Sequence, residues 1–497
     1  MPWDQHKDSE SADIRARLDH PVIDGDGHMV EYQPMVYEYV EKVAGRAVAD
    51  RMRDKLEGGE GGSDAGRAGW YACTQEERDD MRVYRPPFFM APSKNTADRA
   101  TAMLPALFRK RLDEFGIDFA IVYTSTFRLQ KLRDDELRQA GCRALNLMLT
   151  ELFAPYADRM TPAAVIPMIT PEEAIAELEY AVGTLGMKAA MTTAYVPRAV
   201  PRIAREAPEL AAYAQWIDPL ALGSPFDYDP LWAKCMELKV APTAHSTGFF
   251  GARASTISYV YNHIGNFGAA GEAFCKALVI GGVTGRFPDL KFGFLEGGVG
   301  WACALYNDLF EHWQKRNATA MNENLHPRNI DKVLFAELVE AYGGKQFARH
   351  LDTMREDGGE RRHDETGANL DEWHNCSATS MEELRDLFIP NFYFGCEADD
   401  RMVATAFNPK LNRFGAKLKA IFSSDVGHWD VPDMAEVLAE SYEMVTEKLI
   451  TEDDFRDFTF SNAAELHASM NPDFFKGTVV EADVAKLMAG KAAEAAV

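Results

Sequence analysis

A chain of 497 residues with 46% hydrophobic content is long enough for one large α/β barrel or for about three domains of ~150 residues. Its 53 Lys+Arg against 77 Asp+Glu leave a net charge of −24, a field that repels phosphate backbones and anionic membranes and so excludes nucleic acid and lipid surfaces as expected partners. The seven cysteines are odd in number and lack CxxC spacing, the N-terminal stretch has no apolar signal region, and no run approaches the ~20 apolar residues of a membrane span, so free thiols and a cytoplasmic protein are expected.

In chain order, residues 1–19 read as a charged extension. The first apolar run is PVIDGDGH (21–28). Residues 32–100 then form a large insertion, with a Gly-rich stretch at 57–69 and an aromatic and proline cluster, VYRPPFFMAP, at 83–92. The second run is FAIVYTS (119–125), followed by a helical pattern over 135–154. The third is MTPAAVIPMI (160–169), with apolar residues at i, i+3, i+4 and i+7 over 171–186 behind it. MKAAMTTA (187–194), VAPTAHS (240–246) and LKFGFLEGG (290–298) are the fourth to sixth. A second insertion over 310–390 carries the charged run REDGGERRHDETG (355–367). FYFGCE (392–397) and KAIFSSD (419–425) are the seventh and eighth. A helix over 433–449 has early acids and late Lys, matching the helix dipole, and residues 481–497 form a tail whose Ala-rich end, AGKAAEAAV, is expected to fray.

Eight apolar runs alternating with helices predict an α/β fold, a (β/α)8 TIM barrel over 20–480 with large insertions after the first and sixth strands. A doubly wound sheet ranks below it, since DGDGH is not the GxGxxG turn that fold places after its first strand.

Chemistry-bearing residues gather at the carboxyl ends of these strands, the active face of a barrel. Asp26 and His28 lie two apart and face the same side of a strand. A carboxylate and an imidazole there make half a site for Zn²⁺ or Mn²⁺. His245 ends the fifth run; Asp425 ends the eighth, where a carboxylate is costly to bury without a partner or a metal. Glu296 ends the sixth. His263 reads either as a proton donor or as a structural helix residue, and His428 either as a donor or as the partner that orients Asp425. Glu397 reads either as a hydrogen-bond partner of the ligand shell or as an ion-pair partner of Arg401, with the structural role preferred. Trp301 and Trp429 are candidate pocket walls, and Arg128, Tyr195 and Arg198 lie beyond the second and fourth strands, with a surface role the default for the two arginines and a substrate carboxylate clamp the sharper reading. Trp70, Tyr71, Tyr84, Phe88, Phe89, Phe249 and Phe250 suggest an apolar or aromatic substrate under a lid, or a buried subunit interface.

Together these segments resemble the amidohydrolase superfamily, in the branch of hydrolases and non-oxidative decarboxylases of aromatic acids. The resemblance rests on Asp26-Gly27-His28, His245, SSDVGHWD around Asp425, GGVTGRFPDLKFGFLEGGVGW (281–301) and TEDDFRDFTFSNAAELHA (451–468), with Asn462-Ala463-Ala464 and Leu466 in place. It spans residues 20–470 in scattered blocks and implies one divalent metal ion, Zn or Mn, held by Asp26, His28, His245 and Asp425. Asp425 is then the base that takes a proton from a metal-activated water, and Glu296, His263 or His428 protonates the leaving group. Many members carry a His where this chain reads Leu295-Glu296-Gly297-Gly298. That departure ranks hydrolysis of a C–N, C–O or activated C–C bond in a small substrate above decarboxylation of a hydroxylated aromatic acid. An inactive barrel used as a binding scaffold ranks third, and a homodimer or higher homo-oligomer is expected.

Overall fold

The computed structural model describes residues 8–57, 66–87, 92–125, 129–246, 254–358 and 370–495. Eight strands occupy the eight apolar runs: β1 (Ile23–Met29), β2 (Phe119–Thr124), β3 (Met160–Val165), β4 (Ala189–Thr192), β5 (Pro242–Ala244), β6 (Phe292–Phe294), β7 (Phe392–Cys396) and β8 (Lys419–Phe422). They pair in that order, every pair parallel. Nearly every residue in them is buried, as expected for parallel strands covered on both faces. The two ends of the sheet meet just beyond β8. There the Asp425 N–H donates to the Asp26 carbonyl (3.0 Å) and the His28 N–H to the Val426 carbonyl (2.9 Å). The architecture is the expected (β/α)8 TIM barrel.

Aromatic side chains fill the wall between β6 and β7. Phe294 stacks on Phe394 at 5.7 Å, Phe388 stacks on Phe394 at 6.2 Å, and Phe392 meets Phe294 edge-on with Phe292 tilted against Phe392. Gly395 in β7 gives room to its neighbours on either side, since a Cβ there would lie 2.7 Å from Ser423 Oγ and 3.0 Å from Leu295 Cα.

Neighbouring outer helices are joined by ionic braces. Arg138, on the helix Asp135–Phe153, is 1% exposed. Its guanidinium grips Glu173 of the helix Pro171–Leu178 through Nη2 (2.6 Å) and Nε (3.1 Å), and donates to the Leu132 carbonyl (2.7 Å). Removing one member of a buried pair strands the other charge, at about 3–5 kcal/mol. Glu173 would keep the Ile169 N–H at 2.7 Å, so Arg138→Ala is expected at the lower end, about 3 kcal/mol, seen as a lower urea midpoint.

The first insertion is mostly helical, with helices at Gln33–Ala44, Arg46–Glu57, Gly66–Ala72, Gln75–Met81 and Thr96–Thr101. Its Trp70 donates its indole N–H to the Thr256 carbonyl (2.9 Å) and lies beneath the guanidinium of Arg78, so the insertion clamps the segment that follows β5. The helix Gly300–Arg316 belongs to the sixth βα unit and runs into the segment expected to be insertion; the extra helices begin after it. A third excursion was not anticipated: an antiparallel hairpin, Val196–Ala199 with Gln215–Asp218, after β4. The tail forms the helix Glu481–Ala495, docked by buried Val484; it runs on through the Ala-rich end expected to fray, where Lys491 pairs with Glu465 at 2.9 Å. The expected N-terminal extension likewise carries a helix, Glu10–Arg17, whose Ile14 is buried. Among the described residues no disulfide forms, six cysteines are buried and Cys73 is half-buried, and no helix is long and apolar enough to cross a membrane.

Candidate metal centre

The site grows from the carboxyl ends of β1, β5, β6 and β8. In β1 the register against β2 shifts between Asp24 and Gly27. Asp26 lies within that irregularity and His28 just beyond it, and both are fully buried. His28 Nε2 lies 3.3 Å from Asp26 Oδ1, 3.2 Å from Asp425 Oδ1 and 3.3 Å from His245 Nε2. His245 Nε2 is 3.5 Å from Asp26 Oδ2 and 3.1 Å from Glu296 Oε2. The four residues expected to hold a metal are thus brought together, with Glu296 against them.

The His28–His245 contact meets hydrogen-bond geometry, whereas the approaches to the carboxylates are close but badly aligned for it. Both carboxylate oxygens of Asp26, both of Asp425 and Oε2 of Glu296 are buried and accept no hydrogen bond. Orphaned buried carboxylates are costly. Donor atoms bound to one cation at ~2.1 Å in a tetrahedron stand about 3.4 Å apart. The observed 3.2–3.5 Å spacings among His28, His245, Asp26 and Asp425 match that requirement, and the mixed imidazole and carboxylate set suits Zn²⁺ or Mn²⁺.

Glu296 (φ 58°) and Asp425 (φ 50°) both adopt the left-handed backbone region. Such conformations cost about 1–3 kcal/mol each in residues other than glycine and cluster where geometry serves function. Gly427 (φ 110°) completes the turn after Asp425; a Cβ there would lie 2.8 Å from the His28 carbonyl oxygen, so only glycine lets the two ends of the barrel approach.

An outer layer holds these groups. Asp24 Oδ1 accepts from the Ser424 N–H (2.9 Å) and the Asp26 N–H (3.1 Å), and Oδ2 from the Ser424 hydroxyl (2.6 Å). Asp24→Ala is expected to weaken metal affinity about 10–100-fold, the usual cost of removing an outer partner, measured by competition against a chelating dye. His428 Nδ1 approaches Asp425 Oδ1 at 2.7 Å, its Nε2 lies 2.9 Å from Ser125 Oγ, and its ring stacks on His28 at 3.8 Å.

Electrostatics divide the carboxyl groups. Burial opposes charge on Asp425, but His428 and His28 outweigh it and hold its pKa below the ordinary carboxylate range. Burial, then the charges of Asp425 and Asp26, pushes Glu296 well up. Burial also raises Asp26 to about 7. His28 is disfavoured by burial yet held up at about 10 by Asp26 and Asp425, while burial pushes His245 well down.

His263, on the helix Tyr259–His263, reaches the mouth of the site with Nε2 at 4.0 Å from Glu296 Oε1. Its ring meets Trp429 and Phe267 edge-on. Trp429 is 41% exposed and stands at the entrance, whereas Trp301 packs against Phe294 and Phe394 as core. Three expectations are corrected. Arg401 pairs with Glu447 rather than Glu397. Glu397 is instead drawn into the field of the site, raised to about 8 by burial and then by Asp425. Arg198 is neither exposed nor a carboxylate clamp: it bonds the buried Asp218 of the hairpin and the Tyr228 hydroxyl (3.0 Å). Tyr195 is buried. Arg128, Phe88, Phe89, Phe249 and Phe250 lie outside the described residues. Sequence reasoning missed Asp430, Ser125 and the bracing role of Asp24. For Asp430 a signal existed, since HWD places it two residues after His428.

A family model described as "Amidohydrolase" matches residues 80–346. Among solved structures, the chain is similar to an amidohydrolase from Mycobacterium avium subsp. paratuberculosis K-10, with 17% identity and a TM-score of 0.50 over 90% of this chain and 99% of that one. It is also similar to dihydroxybenzoic acid decarboxylase from Polaromonas sp. JS666, solved with bound manganese and 2-nitroresorcinol, at 15% identity and TM-score 0.47 over 90% and 97%. A third is 2,6-dihydroxybenzoate decarboxylase from Rhizobium, at 17% identity and TM-score 0.43 over 72% and 86%. No curated protein matches the chain.

Proposed function

Because the chain belongs to the amidohydrolase family, we propose that it is a metal-dependent hydrolase of a C–N, C–O or activated C–C bond in a small, apolar or aromatic substrate. Asp26, His28, His245 and Asp425 hold one divalent ion, Zn or Mn. The observation that carries this reading is the convergence of their donor atoms, at 3.2–3.3 Å around His28 Nε2 and 3.5 Å between His245 and Asp26, with the carboxylate oxygens lacking any hydrogen bond. When bound, the ion lowers the pKa of a water molecule and stabilises negative charge developing on the attacked carbonyl.

The chain's own residues supply the rest. Asp425, kept ionised by His428 and His28, takes the proton of the attacking water. His428 acts through Asp425, since its two ring nitrogens face Asp425 and Ser125 and hold the carboxylate in place. Glu296, kept protonated by burial and by its acidic neighbours, returns a proton to the leaving nitrogen or oxygen at its carboxyl oxygen. Trp429, Tyr259 and His263 form an aromatic wall at the entrance, with Tyr259 5.9 Å from Trp429.

The test is elemental analysis of the purified protein, followed by a screen of aryl amides, aryl esters and hydroxylated aromatic acids with the Zn- and Mn-loaded forms. Release of an acid with an amine or alcohol is the expected result. Evolution of carbon dioxide from an aromatic acid overturns hydrolysis in favour of decarboxylation, and absence of metal after supplementation overturns both.

A further inference from the structure

We propose that Lys131 and Gln130 form a subsite that anchors a carboxylate on the far end of the substrate, away from the bond that reacts. Both residues follow β2, on the short helical turn Leu129–Lys131. β2 itself ends against the metal centre: the Tyr123 ring lies 5.9 Å from that of His245, and Ser125 Oγ lies 2.9 Å from His428 Nε2. The turn is fixed from behind. Leu129 is fully buried against Gly141, where a Cβ would lie 3.2 Å from Leu129 Cβ, and Arg138 holds the Leu132 carbonyl at 2.7 Å. Gln130 and Lys131 therefore stand on a braced element at the carboxyl end of the barrel.

Neither side chain is used by the fold. Gln130 is 1% exposed, yet its amide oxygen and nitrogen both lack a hydrogen-bond partner. An amide buried in this way costs stability, and a Leu of similar size would not. Lys131 is half-buried. Among the described residues no carboxylate pairs with it, and burial alone lowers its pKa, to about 8. Its charge is nonetheless felt at His245, whose protonation it opposes. The ammonium thus stands on the His245 side of the centre, clear of the Asp26 and Asp425 carboxylates, which would otherwise hold its pKa up.

That placement selects a ligand. One cation and one neutral N–H donor balance a single negative charge, which suits a carboxylate better than a phosphate carrying about −1.5 to −2. In a chain of net charge −24, and beside Glu296 and Asp425, an anionic substrate needs such a local counter-charge to enter. An aromatic ring with the scissile carbonyl at one end and a carboxylate at the other is then held in one direction. Binding energy from the remote group orients the reacting carbonyl.

This inference rests on the hydrolase reading of the inner centre and is separable from it. Full-length, metal-loaded protein is titrated calorimetrically with the meta and para carbamoylbenzoates and with benzamide, which has the same amide and no carboxylate. At least one carbamoylbenzoate is expected to bind wild type about 10–100-fold tighter than benzamide, the usual worth of a hydrogen bond to a charged group. Lys131→Met, which keeps an apolar stem, is expected to lose that preference and keep benzamide binding; Gln130→Leu is expected to lose part of it. Urea midpoints of both variants are expected to match or exceed wild type, since neither side chain has a partner to lose, whereas a structural role would lower them. No preference for the carboxylates in wild type, or the same preference in Lys131→Met, overturns the subsite. Metal content of the same samples reads the inner centre independently. Loaded protein without the preference leaves that centre standing, and protein that takes up no metal overturns both.

Discussion

Asp425→Asn is expected to lower kcat about 10³-fold, within the ~10²–10⁴ that a positioned general base contributes, while the protein stays folded and retains metal. Asn is the informative replacement for a conformational reason. Asp425 sits at φ 50°, and Asn is among the few residues other than glycine that tolerate the left-handed region. Its amide oxygen keeps the donor position and only the basicity disappears. An Ala there would confound the loss of the base with backbone strain. Steady-state kinetics on any substrate found in the screen, beside elemental analysis of the same sample, separate the two effects. A kcat within tenfold of wild type would remove Asp425 from its role as base.

His28→Ala is expected to abolish metal retention and to destabilise even the metal-free protein by about 3–5 kcal/mol. His28 Nε2 is the hub of the cluster, 3.2 Å from Asp425 and 3.3 Å from both Asp26 and His245. The ring separates two buried carboxylates and carries the positive charge that offsets them, which is why Asp26 and Asp425 hold its pKa up at about 10 against the effect of burial. Without it, two buried acids face each other with no compensating charge. Urea unfolding in the presence of a chelator reads the second effect free of the first. His245→Ala should also lose the metal but cost less stability, because burial holds that ring well below its ordinary pKa and hence neutral.

The barrel was legible because its strands are buried on both faces: eight short β-branched and aromatic runs can hardly be anything else once helical patterns separate them. The inner site followed from position, as Asp26, His28, His245 and Asp425 each end such a run. The hairpin after β4 escaped because VPRAVPRIAREAPEL, with its prolines and charges, shows no period-two alternation. The tail misled because its Ala-rich composition looks like a solvated end, whereas Val484 and Lys491 dock it onto the helix that carries Glu465. Arg198 misled because its partner, Asp218, lies 20 residues away on a strand the sequence did not announce. The His428 geometry depends on a contact with Ser125, 303 residues distant, which no local pattern encodes.

The sheet's two ends join through the peptide groups of the site itself, Asp425 to Asp26 and His28 to Val426, and through Asp24 and Ser424, which are 400 residues apart in the chain. Closing so long a loop is among the last contacts a chain can gain, since each contact of high sequence separation costs entropy before it returns any stability. A nascent or truncated chain ending before β8 therefore has every other strand available but an open sheet with two exposed edges and only part of the cluster. Binding of the proposed ion would thus report closure of the barrel: it would reward the closed molecule over a chain lacking β8, and a divalent metal present during refolding is expected to raise the yield of closed barrel over edge-to-edge aggregate.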